Sequence, residues 1–321
     1  MKNAVWLTWE SQRRNKTLSK ALDVDYFQLE MNTHRLLRYP LLILKTLRVL
    51  IRHRPKIIFA QNPSIFLATL AVVYGKLFNK VVVVDCHNAG VFPFEGKKGW
   101  ANRLSYFIFA NASLIIVTNQ ALKEYVESKD GEAIILPDPF PEISAADSGR
   151  LRGRVNFLLI STWADDEPYE EVIKSFSTLP DDWVLYISGN SKGRENSLSI
   201  PIPDNVVLTG FISDQEYDEL LGSCDAVIDL TTREDCLVCG AYEAVSAGKP
   251  LILSDTRALR DYFKHSAVYT ENTSGHIANA IKHTADNLQD IADQVISYRE
   301  QQEKEWFSML DNLKSNVKCK L

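Results

Sequence analysis

Asp235 and Glu243 stand with seven residues between them, inside the stretch Asp225–Ser254, DAVIDLTTREDCLVCGAYEAVSAGKPLILS. A carboxylate on the first turn of a helix can accept hydrogen bonds from ribose hydroxyls. The free amides of that turn, here Leu237, Val238, Cys239 and Gly240, attract phosphate, and Gly240 lets the backbone approach a ligand closely. Asp235 then falls on the other side of those phosphates. The elements that would hold this arrangement surround it. Ala226 to Leu230 reads as a buried strand, Thr231 to Asp235 as a polar turn, and Ala241 to Ala247 as a short helix closed by Gly248 and Pro250. A second strand, Pro250 to Leu253, completes a right-handed β-α-β unit. The same spacing fits a plain β-α-β unit with a charged turn and a capping carboxylate. Spacing alone does not separate the two.

Other polar groups follow strands. Val81 to Asp85, VVVVD, reads as a buried parallel strand that delivers Asp85 and His87 to its carboxyl end. There Asp85 can orient the imidazole or belong to an acceptor site. Arg13 and Arg14 follow the strand Ala4 to Thr8, where guanidinium forks suit phosphate; a solvated turn fits them equally. Trp183 to Ile187 is a strand leading into Gly189, Asn190, Lys192 and Arg194, from which either cation can reach a pyrophosphate; a glycine-containing surface loop fits equally. Cys236 and Cys239 form a C-x-x-C without a second pair, which reads as two small loop residues rather than a zinc or redox site.

The Asp225–Ser254 stretch resembles the nucleotide-sugar site of GT-B glycosyltransferases, family 4 and its relatives. Their pattern is an acidic residue, seven residues, a glutamate and Ala, then Gly-x-Pro and a strand. Asp235, Glu243, Ala244 and Gly248-Lys249-Pro250 match it. Aspartate replaces the usual glutamate at Asp235, and Cys236-Leu237-Val238 replaces Gly-Phe-Gly. Element order follows the family along nearly the whole chain. The resemblance implies an α/β protein of two Rossmann-like domains facing a cleft, the second holding a UDP- or GDP-linked sugar. It implies transfer to a saccharide acceptor in polysaccharide or glycan biosynthesis, without metal or other cofactor and with retention of configuration. It also implies donor contacts from Glu243 and the amides of Leu237 to Gly240, with Asp235 and His87 as catalytic residues. His87 acts as a general base only if the reaction inverts. Gly189 matches the glycine after the corresponding strand, and Phe211 and Ile212 take the base-pocket position. One departure is large: after Val155 to Ser161 the family carries an Arg and a Lys, where this chain has Asp165, Asp166 and Glu167. A catalytically inactive scaffold for another transferase and a sugar-nucleotide epimerase on the same fold remain the two other readings.

Composition narrows the setting. The 321 residues suffice for one large or two medium domains, and 45% hydrophobic with 24% charged residues is ordinary for a globular protein. Five cysteines without a disulfide-like framework point to a reducing compartment, and Met1 to Glu10 runs into a strand rather than a signal peptide. The apolar segments Leu41–Leu50 and Ile65–Phe78 contain Lys45, Arg48 and Lys76, and fall short of the about 20 apolar residues a membrane span needs. Residues 1–150 carry 20 Lys and Arg against 13 Asp and Glu, whereas the remainder carries 16 against 28. Residues 31–84 contain nine cations and no carboxylate. Within them RLLRYPLLILKTLRVLIRHR reads as a helix opened at Pro40, with Arg38, Lys45, Arg48 and Arg52 along one side. An ordinary core helix with a solvated charged face fits this pattern, but a basic rim beside apolar residues and without carboxylates suits anionic lipid headgroups and a lipid-linked acceptor at the cytoplasmic membrane face. Nucleic acid fits less well, because aromatic interleaving and a recognised binding motif are missing. The expected organisation is residues 1–141 as acceptor domain, 142–154 as linker and 155–295 as nucleotide domain. The closing helix, 296–318, is expected to pack back on the first domain.

Overall fold

The computed structural model describes residues 1–321 except 2, 63, 144–150 and 195–197, and the side chains of Arg13, Arg35 and Leu36. Most of the expected linker, 142–154, therefore lies outside the described residues. The chain forms two compact units, Met1–Pro139 with Glu305–Leu321, and Phe140–Lys304.

The first unit alternates strand and helix: β1 (Ala4–Thr8), α1 (Arg13–Leu22), β2 (Asp25–Gln28), α2 (Arg35–His53), β3 (Ile57–Asn62) and α3 (Ile65–Phe78). It continues through β4 (Val81–Cys86), α4 (Asn88–Val91), α5 (Gly99–Asn111), β5 (Leu114–Val117), α6 (Gln120–Glu127) and β6 (Ala133–Ile135). The strands form one parallel sheet in the order β2-β1-β3-β4-β5-β6. Alternate side chains separate its two faces. Val5, Leu7, Ile58, Ala60, Val82 and Val84 pack under α2, α3, α5 and α6. Trp6, Phe59, Val83 and Ile116 pack under α1 and under Trp306, Leu310, Leu313 and Val317. Each such aliphatic side chain contributes about 1.5–3 kcal/mol on burial, so the valine run of β4, covered on both faces, firmly anchors the polar residues at its carboxyl end.

The second unit contains β7 (Val155–Leu159), α7 (Tyr169–Phe176), β8 (Trp183–Ser188), β9 (Val206–Gly210), α8 (Asp214–Ser223) and β10 (Ala226–Asp229). Then come α9 (Cys239–Ser246), β11 (Leu251–Ser254), α10 (Arg257–Phe263), β12 (Val268–Thr270) and α11 (Ser274–Asp286). The last helix, α12 (Leu288–Cys319), passes from this unit into the first at Glu305. The sheet is again parallel, ordered β12-β11-β10-β7-β8-β9. Both sheets reverse direction beside their first strand, β1 or β7, and open α/β sheets bind ligands outside the carboxyl ends of strands at such a point.

Arg13 and Arg14, read as a possible solvated turn, open α1, which is anchored by Leu18 and Leu22 at an i, i+4 spacing, both fully buried. Helix α2 starts at Arg35, so Pro40 sits inside it, where proline forfeits one backbone hydrogen bond. Residues 90–103 hold the end of α4, a 3₁₀ turn (Pro93–Gly96) and the start of α5; Phe94 and Glu95 take left-handed φ of 54° and 55°. Thr256 caps α10 by accepting the Leu259 amide, and β12 follows from Val268.

Candidate functional site

In the second unit the switch point lies between β7 and β10, and the loop after β7 is stitched across it. Glu167 accepts the hydroxyls of Ser161 and Thr162, each at 2.6 Å, and the Thr162 amide at 2.9 Å. Asp166 accepts the Thr231 hydroxyl at 2.9 Å and pairs with Arg233 at 3.2 Å, while its carbonyl accepts the Thr232 amide at 2.8 Å. Asp165 pairs with Arg194 at 2.8 Å. The three carboxylates that stand where cations were expected thus brace this loop and hold cations from two other strand ends. Arg233 went unread in the sequence; its partner lies 67 residues away, beyond any local pattern.

Past β10, the residues of the carboxylate motif divide. Glu243, on α9 and partly buried, accepts a hydrogen bond from the Tyr217 hydroxyl of α8. Burial and the Glu243 charge raise the Tyr217 phenol well above its ordinary value, so it remains a donor. Asp235 lies partly buried in the turn before α9. Gly240 requires a correction. Its amide and that of Ala241 donate to Asp229, the buried last residue of β10. A Cβ on Gly240 would come within 2.5 Å of Asp229 Oδ2 and 2.8 Å of Ile160. Glycine is needed there by the protein's own interior, and Leu237, Val238 and Cys239 remain as the amides ahead of it. Burial, then the charges of Glu167 and Glu243, push the Asp229 carboxyl well above its ordinary range despite the two amides. A lone Asp inside the apolar run AVIDL was the sequence signal for it.

After β8, Gly189 has φ +90° and a virtual Cβ only 2.2 Å from the Ser161 carbonyl oxygen, so it lets the β7 and β8 loops touch. Asn190 and Lys192 are exposed beyond it. Phe211, after β9, is 88% exposed, whereas Ile212 packs partly into the core beneath α8 and α9.

In the first unit, Arg14 is 6% exposed and donates to Asp85 at 2.8 and 3.0 Å, to Asp138 at 2.9 Å and to the Leu136 carbonyl at 2.8 Å. Burial disfavours its charge, but the two aspartates outweigh this and raise its pKa. Burial likewise disfavours the Asp85 anion, yet Arg14 and His87 hold that carboxyl well below its ordinary value. Arg14 is therefore an interior cation rather than a phosphate ligand, and Asp85 belongs to the same interior pair. The side chain of Arg13 lies outside the described residues. His87 Nε2 is turned inward, 3.4 Å from Asp85 Oδ2, with the side chain 26% exposed.

The outer side of α2 presents Lys45, Arg48 and Arg52 among the exposed Leu41, Leu44 and Ile51. Arg38 departs from that rim; it is partly buried and its Nε is shielded from solvent. Neighbouring α3 and α5 add exposed Phe66, Val73, Leu77 and Trp100, with Phe66 stacked on Trp100 and edge-on to Tyr39. Among the described residues no helix is long and apolar enough to cross a membrane.

Residues 150–304 match the family model described as glycosyl transferases group 1. No curated protein matches the chain. Among solved structures, Alr3699/HepE from Anabaena in complex with UDP-glucose is similar at 16% identity and a TM-score of 0.76, over 97% of this chain and 99% of that one. Sucrose-phosphate synthase from Thermosynechococcus elongatus is similar at 14% identity and 0.75, over 97% of each chain. A putative UDP-N-acetylglucosamine 2-epimerase from Listeria monocytogenes gives 12% and 0.63, over 92% and 91%. The two parallel six-stranded sheets with flanking helices thus give the chain the two-domain GT-B fold of these structures, and the glycosyl transferases group 1 match lies on its second unit.

Proposed function

We propose that the chain transfers a hexosyl group from a UDP-sugar to a saccharide acceptor carried on a lipid at an anionic membrane surface. The carrying observation is the Tyr217–Glu243 hydrogen bond at the start of α9. It fixes the Glu243 carboxylate on α9, which in this reading grips ribose hydroxyls while the amides of Leu237, Val238 and Cys239 take the phosphates. UDP is chosen over GDP because similar folds were solved with UDP-glucose and with UDP. Asp235 addresses the donor sugar, exposed Phe211 offers a stacking face to the base with Ile212 behind it, and His87 is the polar group of the acceptor unit. Charge on the departing diphosphate is stabilised by fixed amides and cations. Transfer retains configuration and needs no metal or other cofactor in this reading; the product's anomeric NMR signal and activity in EDTA check both.

Thermal unfolding with UDP, GDP and their sugar conjugates tests the donor half, since a ligand that binds only the native state raises its stability. A rise with UDP-sugars, lost in Glu243→Ala, is expected. No rise at saturating concentration would favour a scaffold without donor chemistry, and conversion of the donor alone would mark an epimerase.

The membrane half draws on the exposed basic and apolar side of α2, continued by Phe66 and Trp100. Each cation contributes about 1 kcal/mol near an anionic surface. Lys45→Glu/Arg48→Glu/Arg52→Glu is expected to abolish co-sedimentation with phosphatidylglycerol vesicles; equal sedimentation would remove the membrane from the reading. This surface fits a peripheral protein of the cytoplasmic membrane face.

A further inference from the structure

The loop after β7 contains no cation, yet it collects two. Arg194 comes from the segment after β8 and Arg233 from the turn after β10, so the three segments leave the carboxyl ends of three adjacent strands. Consecutive carboxylates receive them, Asp165 at 2.8 Å from Arg194 Nη2 and Asp166 at 3.2 Å from Arg233 Nη2. Both arginine side chains stay nearly half exposed, at 43% and 45%. Each guanidinium is thus backed by a carboxylate and still faces solvent beside the switch point.

We infer that Arg194 and Arg233 form the clamp for the donor diphosphate, supplied from the flanking strand ends instead of the β7 loop. The inference rests on the UDP-sugar reading above. Guanidinium forks match phosphate oxygens in geometry and form charge-assisted hydrogen bonds to them. The aspartates hold both long side chains in place before the ligand arrives, which lowers the entropy lost on binding. Arg233 also precedes the α9 amides by a few residues, so one turn brings both kinds of phosphate donor together. The sequence Thr162 to Glu167 is acidic because it positions cations rather than supplies them.

The experiment is calorimetric titration of the intact chain with UDP and with uridine, in wild type, Arg194→Gln, Arg233→Gln and the double variant. All the substituted positions are at the surface, and unfolding temperatures confirm that each variant is folded. Each single change is expected to weaken UDP about tenfold, as charge-assisted bonds of this kind do. Uridine affinity stays unchanged, and the salt dependence of UDP binding flattens. If wild type binds UDP and the double variant binds it equally well, the inference is overturned while the donor reading stands. If wild type binds no nucleoside diphosphate, the donor reading fails and takes the inference with it.

Discussion

The Tyr217 hydroxyl donates to Glu243 Oε2 across 26 positions of sequence. The tyrosine is itself placed by α8, whose start is closed by a capping box in which Ser213 and Glu216 satisfy each other's amides. A carboxylate on a two-methylene stem has rotamers to lose, and the phenol removes them before a nucleotide binds.

Tyr217→Phe keeps the ring and deletes the donor. Hydrogen bonds to charged groups contribute about 1.5–3 kcal/mol, so UDP affinity should drop about tenfold or more. Calorimetry with 2′,3′-dideoxy-UDP supplies the control. That ligand lacks the hydroxyls Glu243 would hold and should bind both proteins alike; an equal loss for both ligands would show that the tyrosine merely supports the fold.

Asp229 makes stability depend on pH. Its native pKa is raised above the ordinary 3.8, foremost by burial and then by Glu167 and Glu243. The native state therefore keeps a proton that the unfolded chain releases. The stabilisation this represents is complete below pH 3.8 and is lost as pH rises through the native value. Asp229→Asn cannot ionise. Relative to wild type at the same pH, its unfolding temperature should rise at pH 8 and show no gain at pH 4. An offset identical at both pH values would contradict this.

Arg14 is the counterpart in the first unit, with the sign reversed. Its charge holds the buried Asp85 carboxyl low, so the stability gained from that carboxylate is present above its ordinary 3.8 and fades only as acid approaches the lowered native value. Arg14→Met leaves the carboxylate buried without its main partner, at a cost of about 3–5 kcal/mol in urea unfolding. Arg14→Met/Asp85→Leu should recover much of that loss; no recovery would mean that Asp85 is not the group left stranded.

Much of this was readable from residue order, for identifiable reasons. Val81–Cys86 and Ala226–Asp229 are dense in β-branched or aliphatic residues, and Gly248 with Pro250 marks the end of α9, so local chemistry suffices to place them. The start of α1 was hidden because Gln12 makes no side-chain cap, and α10 because Tyr262 and Phe263 carry strand-like propensity. Around the candidate site, the place of Glu243 on a short helix followed from the local pattern. The partners of Asp165 and Asp166 did not, because Arg194 is brought by the strand end of β8 and Arg233 by that of β10. A cation absent from a motif is visible in sequence; one borrowed from a distant turn becomes visible only when the sheet is assembled.

The passage of α12 between units has a bearing on biosynthesis. On the ribosome, the first 139 residues emerge with one side of their sheet, around Trp6 and Phe59, still lacking Trp306, Leu310, Leu313 and Val317. The indole of Trp306, which will donate to the Pro137 carbonyl at 3.0 Å, is polymerised only after all of the second unit. The nascent chain therefore carries an open apolar flank through the whole synthesis of its neighbour, a species of the kind that chaperones engage. The domain that is begun first is the one completed last.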